Sequence, residues 1–150
     1  MIKILFVCHG NICRSPMAEF VMKDIVKVRG LERDFEIASA ATSCEELGNP
    51  VYPDTRRILA FHGISCDGKR ARRMTRDDYD NFDYIVAMDR NNLRNMSQFI
   101  GNDPERKVSL LLDFTDRPGD VADPWYTRDF ETTYKDVCDG CEGLLKCILS

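Results

Sequence analysis

The sequence predicts an α/β fold, a three-layer, doubly wound arrangement in which a four-stranded parallel sheet carries helices on both faces. Three observations predict it. Strand-like and helix-like segments alternate along the chain, the order that builds a parallel sheet through helical crossovers. The first strand-like run, residues 2–8, includes Ile2, Ile4, Leu5, Phe6 and Val7, and near-continuous apolar character suits a strand covered on both faces. No internal repeat, low-complexity stretch or linker-like segment interrupts the pattern, so residues 1–150 are expected to form a single domain.

The elements follow in order. Ser15-Pro16 reads as an N-cap and then proline at the first helical position. Beyond it Ala18, Val21, Met22, Ile25 and Val28 recur at helical spacing, Lys27 and Arg29 suit the negative end, and Gly30 is the stop. Phe35, Ile37 and Ser39 alternate as a second strand, and Pro53 to Phe61 reads as a helix ending near Gly63. Thr75-x-x-Asp78 resembles a capping box with aspartate at the position that prefers Glu or Gln. Tyr84 to Met88 is a third strand, Asp89 caps a helix running to about Ile100, and Val108 to Leu112 is the fourth strand. A turn-rich loop from Asp113 to Tyr126 precedes a last helix with Phe130, Tyr134, Val137, Cys141, Leu144 and Ile148 on one stripe.

Composition narrows the function classes. At 43% apolar residues the chain is not a disordered one. A net charge of −4 argues against a whole-surface nucleic-acid footprint, which needs clustered positive charge. No apolar run approaches a membrane span of ~20 residues. The run at residues 1–8 is too short for a signal-peptide core with its cleavage site. Seven cysteines, an odd number, do not suggest a secreted disulfide framework. The expectation is a reduced, cytoplasmic chain whose thiols are core filler, ligands or chemistry.

The segment Cys8-His9-Gly10-Asn11-Ile12-Cys13-Arg14-Ser15 carries the most chemistry. It lies at the carboxyl end of the first strand, where open parallel sheets bind ligands. Cysteine, five residues and arginine allow one loop to wrap a tetrahedral oxyanion. The backbone N–H groups of residues 9–13 can converge on it as a nest, and the helix that follows adds its positive end. Arg14 can grip two equatorial oxygens with its planar fork. Cys8 then sits at the bottom, in a field that favours the thiolate. Ser15 can hydrogen-bond that thiolate. Gly10 and Asn11 suit the left-handed backbone of a tight cradle. The plainer reading is a strand–helix turn holding two semi-buried cysteines; the buried strand before it and the Ser-Pro start after it favour the anion site.

This segment closely resembles the signature of the low-molecular-weight protein tyrosine phosphatases. The resemblance continues through Ser39-Ala40-Ala41-Thr42-Ser43, Gly48-Asn49-Pro50, His62-Gly63-Ile64, Ala71-Arg72, Met88-Asp89, Asp123-Pro124-Trp125-Tyr126 and Asp129-Phe130-Glu131, in the family's order. It implies a flavodoxin-like four-stranded parallel sheet flanked by helices, and hydrolysis of phosphotyrosine with neither metal nor cofactor. It also implies that Ser39 supports the Asn11 side chain. By the same resemblance, Cys13 can bond to Cys8 under oxidation and protect it from overoxidation.

Expelling a phenoxide or alkoxide from a phosphate monoester needs a proton donor. Asp123 fits: Pro124 stiffens its loop, the aromatics beside it lend apolar surroundings, and a nearby dianion favours a retained proton. The resemblance assigns it the same role. Trp125 and Tyr126 are expected to wall the slot against an aromatic leaving group, although Trp125 also reads as a hydrophobic plug for the last helix.

Weaker signals remain. Cys138-x-x-Cys141 is half a metal motif, but no second such pair exists and the only histidines are His9 and His62, so core packing is the better reading. Cys44, Cys66 and Cys147 read as filler. Five cations between Lys69 and Arg76 read mostly as a solvated loop that also steers anions. Many relatives carry histidine where this chain has Lys69, which removes a family-like histidine role there. Glu45 stands in a variable segment that shapes the pocket wall in some relatives. The expected partners are phosphotyrosine proteins or peptides, with no nucleic acid and no membrane, and the chain is expected to be a monomer with at most weak self-association. Two rivals stand beside this reading: a thiol-dependent arsenate reductase, which needs resolving cysteines downstream, and a phosphate-binding module without turnover.

Overall fold

The computed structural model describes residues 1–150. Four strands, β1 (Ile2–Cys8), β2 (Phe35–Ala41), β3 (Tyr84–Ala87) and β4 (Val108–Leu110), form one sheet in the order β2-β1-β3-β4, all pairs parallel. The chain steps from β1 to β2 on one side and places β3 on the other. The carboxyl end of β1 therefore faces the crevice where the direction of winding changes.

Alternation along β1 explains its apolar sequence. Ile4, Phe6 and Cys8 belong to the core under α1 (Arg14–Val28) and α6 (Phe130–Leu149). Leu5 and Val7 point to the opposite core, with Tyr79 and Phe82 around α3 (Arg76–Asn81) and Met96 from α4 (Arg90–Ile100). Ile4, Leu5, Phe6 and Val7 are all fully buried, each contributing roughly 1.5–3 kcal/mol of hydrophobic stabilisation. The same period of two that fills both cores puts Cys8 on the α1/α6 face, at the end of a strand held on both sides. α2 (Pro53–Phe61) leans on α1 and α6. Gly140 and Gly143 let α6 lie close to the turn after β4, since a Cβ on Gly143 would overlap the Phe114 carbonyl oxygen.

Four expectations change. The first helix starts at Arg14 with Cys13 before it, so Ser15 is not a cap; its hydroxyl faces the Cys8 thiol. β4 ends at Leu110, and Leu111–Phe114 turns as a 3-10 helix because Asp113 accepts from the Leu110 N–H and closes the turn. The loop before α6 contains a four-residue helix, α5 (Pro124–Thr127), capped by the Asp123 carboxylate on the Trp125 N–H. Of the three cysteines read as filler, only Cys66 is buried; Cys44 and Cys147 are exposed. Cys141 lies wholly in the core and Cys138 packs against it, as Cys138-x-x-Cys141 predicted. No helix is long and apolar enough to cross a membrane.

Candidate active site

The loop between β1 and α1 is built to leave donors free. The carbonyl oxygens of Cys8, His9, Ile12 and Cys13 accept from the N–H groups of Thr42, Ser43, Tyr52 and Met17. None of the backbone N–H groups from His9 to Cys13 donates to a protein acceptor. Tying the oxygens outward leaves a run of unpaired donors next to a helix N-terminus, the composition of an anion nest. Asn11 holds φ at 59°, a left-handed conformation that asparagine tolerates better than most residues. Its side chain locks it there: Oδ1 accepts from the Arg72 N–H at 3.1 Å, while Nδ2 donates to Ser15 Oγ at 2.8 Å and Ser39 Oγ at 2.9 Å.

Cys8 Sγ lies 3.0 Å from Ser15 Oγ on the floor of a pocket of about 250 Å³. Cys8, His9, Gly10, Ile12, Cys13, Arg14, Asp123, Trp125 and Tyr126 line it, together with Glu45 and Glu46. Arg14 is 97% buried, its exposure only 3%. Its Nη1 donates to Asp89 Oδ2 at 2.7 Å and to the Val121 carbonyl at 2.9 Å, and its Nη2 reaches Asp123 Oδ2 at 3.5 Å. Burial opposes the charge, but Cys8, Asp89 and Asp123 outweigh it and hold the Arg14 pKa above the ordinary guanidinium value. Three of its five N–H groups stay free for a ligand if each named contact uses one and Nη2–Asp123 is broken on binding.

Asp123 sits across the pocket with its carboxylate partly exposed. One oxygen caps α5 and the other faces Arg14. Trp125 lines the pocket and meets Tyr52 edge-on at 5.2 Å, while Tyr52, not Trp125, stacks on Phe130 of α6; nearly half exposed, Trp125 forms pocket wall more than a plug for the last helix. Tyr126 stands at the mouth, 82% exposed. His9 pairs at the rim with Glu45. The Cys13 thiol is pushed up to about 12, first by burial and then by the neighbouring Cys8, so at neutral pH it stays protonated.

Several site residues escaped the sequence reading. Asp89 read only as a helix cap; one oxygen caps α4 through Asn92 and the other anchors Arg14. Glu46 and Tyr52 carry no motif. The basic run divides: Arg70, Arg73 and Arg76 are exposed as expected, whereas Arg72 makes two hydrogen bonds to Asp78 and Lys69 turns inward to Ser39 and Glu19.

Comparison with known proteins agrees with this architecture. Residues 3–149 match the model of the low molecular weight phosphotyrosine protein phosphatases. The chain is 42% identical to the low molecular weight protein-tyrosine-phosphatase YfkJ of Bacillus subtilis, over 99% of this chain and 96% of that protein. The crystal structure of YfkJ superposes with a TM-score of 0.96, covering 99% of this chain and 95% of that one. The low molecular weight protein tyrosine phosphatase SP-PTP from Streptococcus pyogenes is 44% identical, with a TM-score of 0.89 over 100% of this chain and 95% of its own. The Drosophila arginine phosphatase DARP is 31% identical, with a TM-score of 0.90 over 99% of each chain. A family model matched over residues 3–149, with a relative 42% identical and a solved structure superposing over nearly the full length, places this chain in the low-molecular-weight protein tyrosine phosphatase family, a family of phosphoric ester hydrolases.

Proposed function

We propose that residues 1–150 form one phosphatase domain that hydrolyses phosphotyrosine in proteins and peptides, and small aryl phosphates, through a cysteinyl-phosphate intermediate and without a metal ion. The observation that carries this reading is the placement of the Cys8 thiol beneath a loop of unpaired N–H donors, with Arg14 beside it and Asp123 across the pocket. The Cys8 thiolate attacks phosphorus, forming the S–P bond as the P–O bond to the tyrosine breaks. The loop N–H groups and Arg14 hold the equatorial oxygens as charge develops. Asp123 gives its proton to the departing phenoxide. In the second step Asp123 takes a proton from water, whose oxygen displaces the sulfur and releases inorganic phosphate. Ser15 donates to the thiolate and eases its departure.

Trp125 and Tyr126 supply the aromatic wall that favours an aryl leaving group. Phosphoarginine is the competing substrate, suggested by the name of the Drosophila relative, an arginine phosphatase. Initial rates on a phosphotyrosine peptide, its phosphoserine counterpart and its phosphoarginine counterpart discriminate these. We expect kcat/KM on phosphotyrosine at least about a hundredfold above the others, because the site is shaped for an aryl group. A higher rate on phosphoarginine would overturn the assignment. The arsenate reductase reading gains no support, since the pocket holds no cysteine besides Cys8 and Cys13.

Cys13 is the proposed partner of Cys8 under oxidation. Peroxide converts Cys8 to a sulfenic acid, and the Cys13 sulfur displaces water from it to form the disulfide. Activity lost to mild peroxide is expected to return with dithiothreitol in the wild type but not in Cys13→Ala. Loss that dithiothreitol cannot restore in the wild type would contradict this role. The reading puts the protein in the reducing cytoplasm, since Cys8 works only as a free thiol, and takes it as a monomer with at most weak self-association.

A further inference from the structure

The short helix that carries Asp123 has little to hold it in place. α5 is a single turn, too short to keep its shape unaided. Four hydrogen bonds make it one unit with Asp123. The Trp125 N–H donates to Asp123 Oδ1, the Tyr126 and Thr127 N–H groups to the Asp123 carbonyl, and the Arg128 N–H to the Pro124 carbonyl. Whatever fixes this turn therefore fixes the carboxyl group. At its inner end Asp123 Oδ2 faces Arg14 Nη2 at 3.5 Å, a contact that a bound phosphate takes over. Thr133 Oγ1 donates to the Ala122 carbonyl at only 3.4 Å and divides its proton with the Asp129 carbonyl. Val121, buried and bonded to the Met88 carbonyl, anchors the loop but not the turn that follows.

The outer end is tied more firmly. Arg128 closes α5 with φ at 60°, a left-handed conformation that glycine takes freely and arginine does not. Its side chain gives the reason for arginine. Nη2 donates to the Tyr52 hydroxyl at 3.0 Å and stands 3.6 Å from Asp54 Oδ2. The guanidinium carbon lies 5.6 Å and 5.7 Å from the Tyr52 and Phe130 ring centroids. Arg128 is half exposed, so the ion pair to Asp54 contributes little by itself, but three residues around one planar group define a place for it. Tyr52 is itself tied to the phosphate loop, since its N–H donates to the Ile12 carbonyl at 2.9 Å. Val51 before it is buried, and Pro53 after it restricts its backbone. Tyr52 thus touches both halves of the chemistry, the phosphate loop through its backbone and α5 through its ring and hydroxyl. Neither Tyr52 nor Arg128 lines the pocket.

We propose that Tyr52 and Arg128 are positioning residues for Asp123. Together they latch α5 to the phosphate loop and hold the carboxyl group against the leaving oxygen once phosphate has taken Arg14. This rests on the reading of Asp123 as the general acid.

Arg128→Met and Tyr52→Phe test it, each checked for folding by circular dichroism and thermal melting. Methionine keeps part of the aliphatic stem and removes the planar fork. Phenylalanine keeps the ring that meets Trp125 and Phe130 and removes only the hydroxyl. The readout is kcat/KM on phenyl phosphate beside p-nitrophenyl phosphate, because only the more basic phenoxide of the first depends strongly on the acid. Arg128→Met is expected to lower kcat/KM roughly tenfold for phenyl phosphate and less than about threefold for p-nitrophenyl phosphate, the effect of a displaced proton donor. Tyr52→Phe should lose about threefold on phenyl phosphate alone, the effect of one hydrogen bond, and it carries the test if Arg128→Met does not fold. Competitive inhibition by inorganic phosphate should stay within about twofold of wild type, since the loop donors and Arg14 are untouched. In an Asp123→Asn background Arg128→Met should cost less than about twofold more, because no proton remains to be placed. Equal losses on the two substrates, or no loss on either, would overturn the proposal, as would a tenfold loss added to Asp123→Asn. A merely structural role would lower the melting temperature and phosphate affinity without sorting substrates by leaving group. Failure of the acid reading shows differently: Asp123→Asn alone would then treat the two substrates alike.

Discussion

Cys8→Ser is expected to lower phosphotyrosine hydrolysis by roughly four orders of magnitude or more, leaving phosphate binding in place. The two side chains are close in size, and Ser15 Oγ, 3.0 Å from the sulfur, can accept or donate to either. The difference is the reacting atom: sulfur attacks phosphorus and leaves it again far more readily than an alcohol oxygen does. The anion-binding groups do not depend on Cys8, because the loop donors are set by outward carbonyl bonds and Arg14 by Asp89 and Val121. Titration with inorganic phosphate or vanadate by calorimetry, beside turnover of p-nitrophenyl phosphate, reads the two properties separately. Retained activity in Cys8→Ser would remove the nucleophile from the account.

Asp123→Asn is expected to cut kcat by about 10²–10⁴, the usual contribution of a placed general acid. Asparagine is the informative replacement. Its side-chain oxygen can still accept from the Trp125 N–H, so the cap of α5 and the wall that follows survive. The proton is what disappears. The loss should therefore grow with the basicity of the leaving group, being larger for phosphotyrosine than for p-nitrophenyl phosphate, whose phenoxide departs without much help. Equal losses on the two substrates, in a variant with an unchanged melting temperature, would deny Asp123 the role of acid.

The fold was legible because its signals are local. β1 is apolar on both faces, and the Asp89–Asn92 reciprocal cap and the stripe on α6 are patterns within a few residues. The phosphate loop was legible for the same reason, being one continuous segment. What the sequence hid is non-local or doubly used. Ser15 was misread as a cap since Ser-Pro is a good helix start, yet here the hydroxyl serves Cys8 and the helix begins at Arg14. Asp89 spends one oxygen on a pattern the sequence displays and the other on an arginine 75 residues away that it does not. Lys69 read as one cation in a solvated run because its partner, Glu19, lies on another element and only the sheet brings them together. Cys44 and Cys147 show the converse: composition favours buried thiols, but no local pattern decides where a particular one goes.

The central claim is that phosphate passes through the Cys8 sulfur. Mixing the enzyme with a ³²P-labelled phosphotyrosine peptide, quenching within the first turnover and mapping the label tests it most directly. The account predicts label on the Cys8 peptide approaching one phosphate per chain, no label in Cys8→Ser, and longer-lived label in Asp123→Asn, where water lacks its base. Steady turnover with no phosphate on Cys8 at any quench time would contradict it.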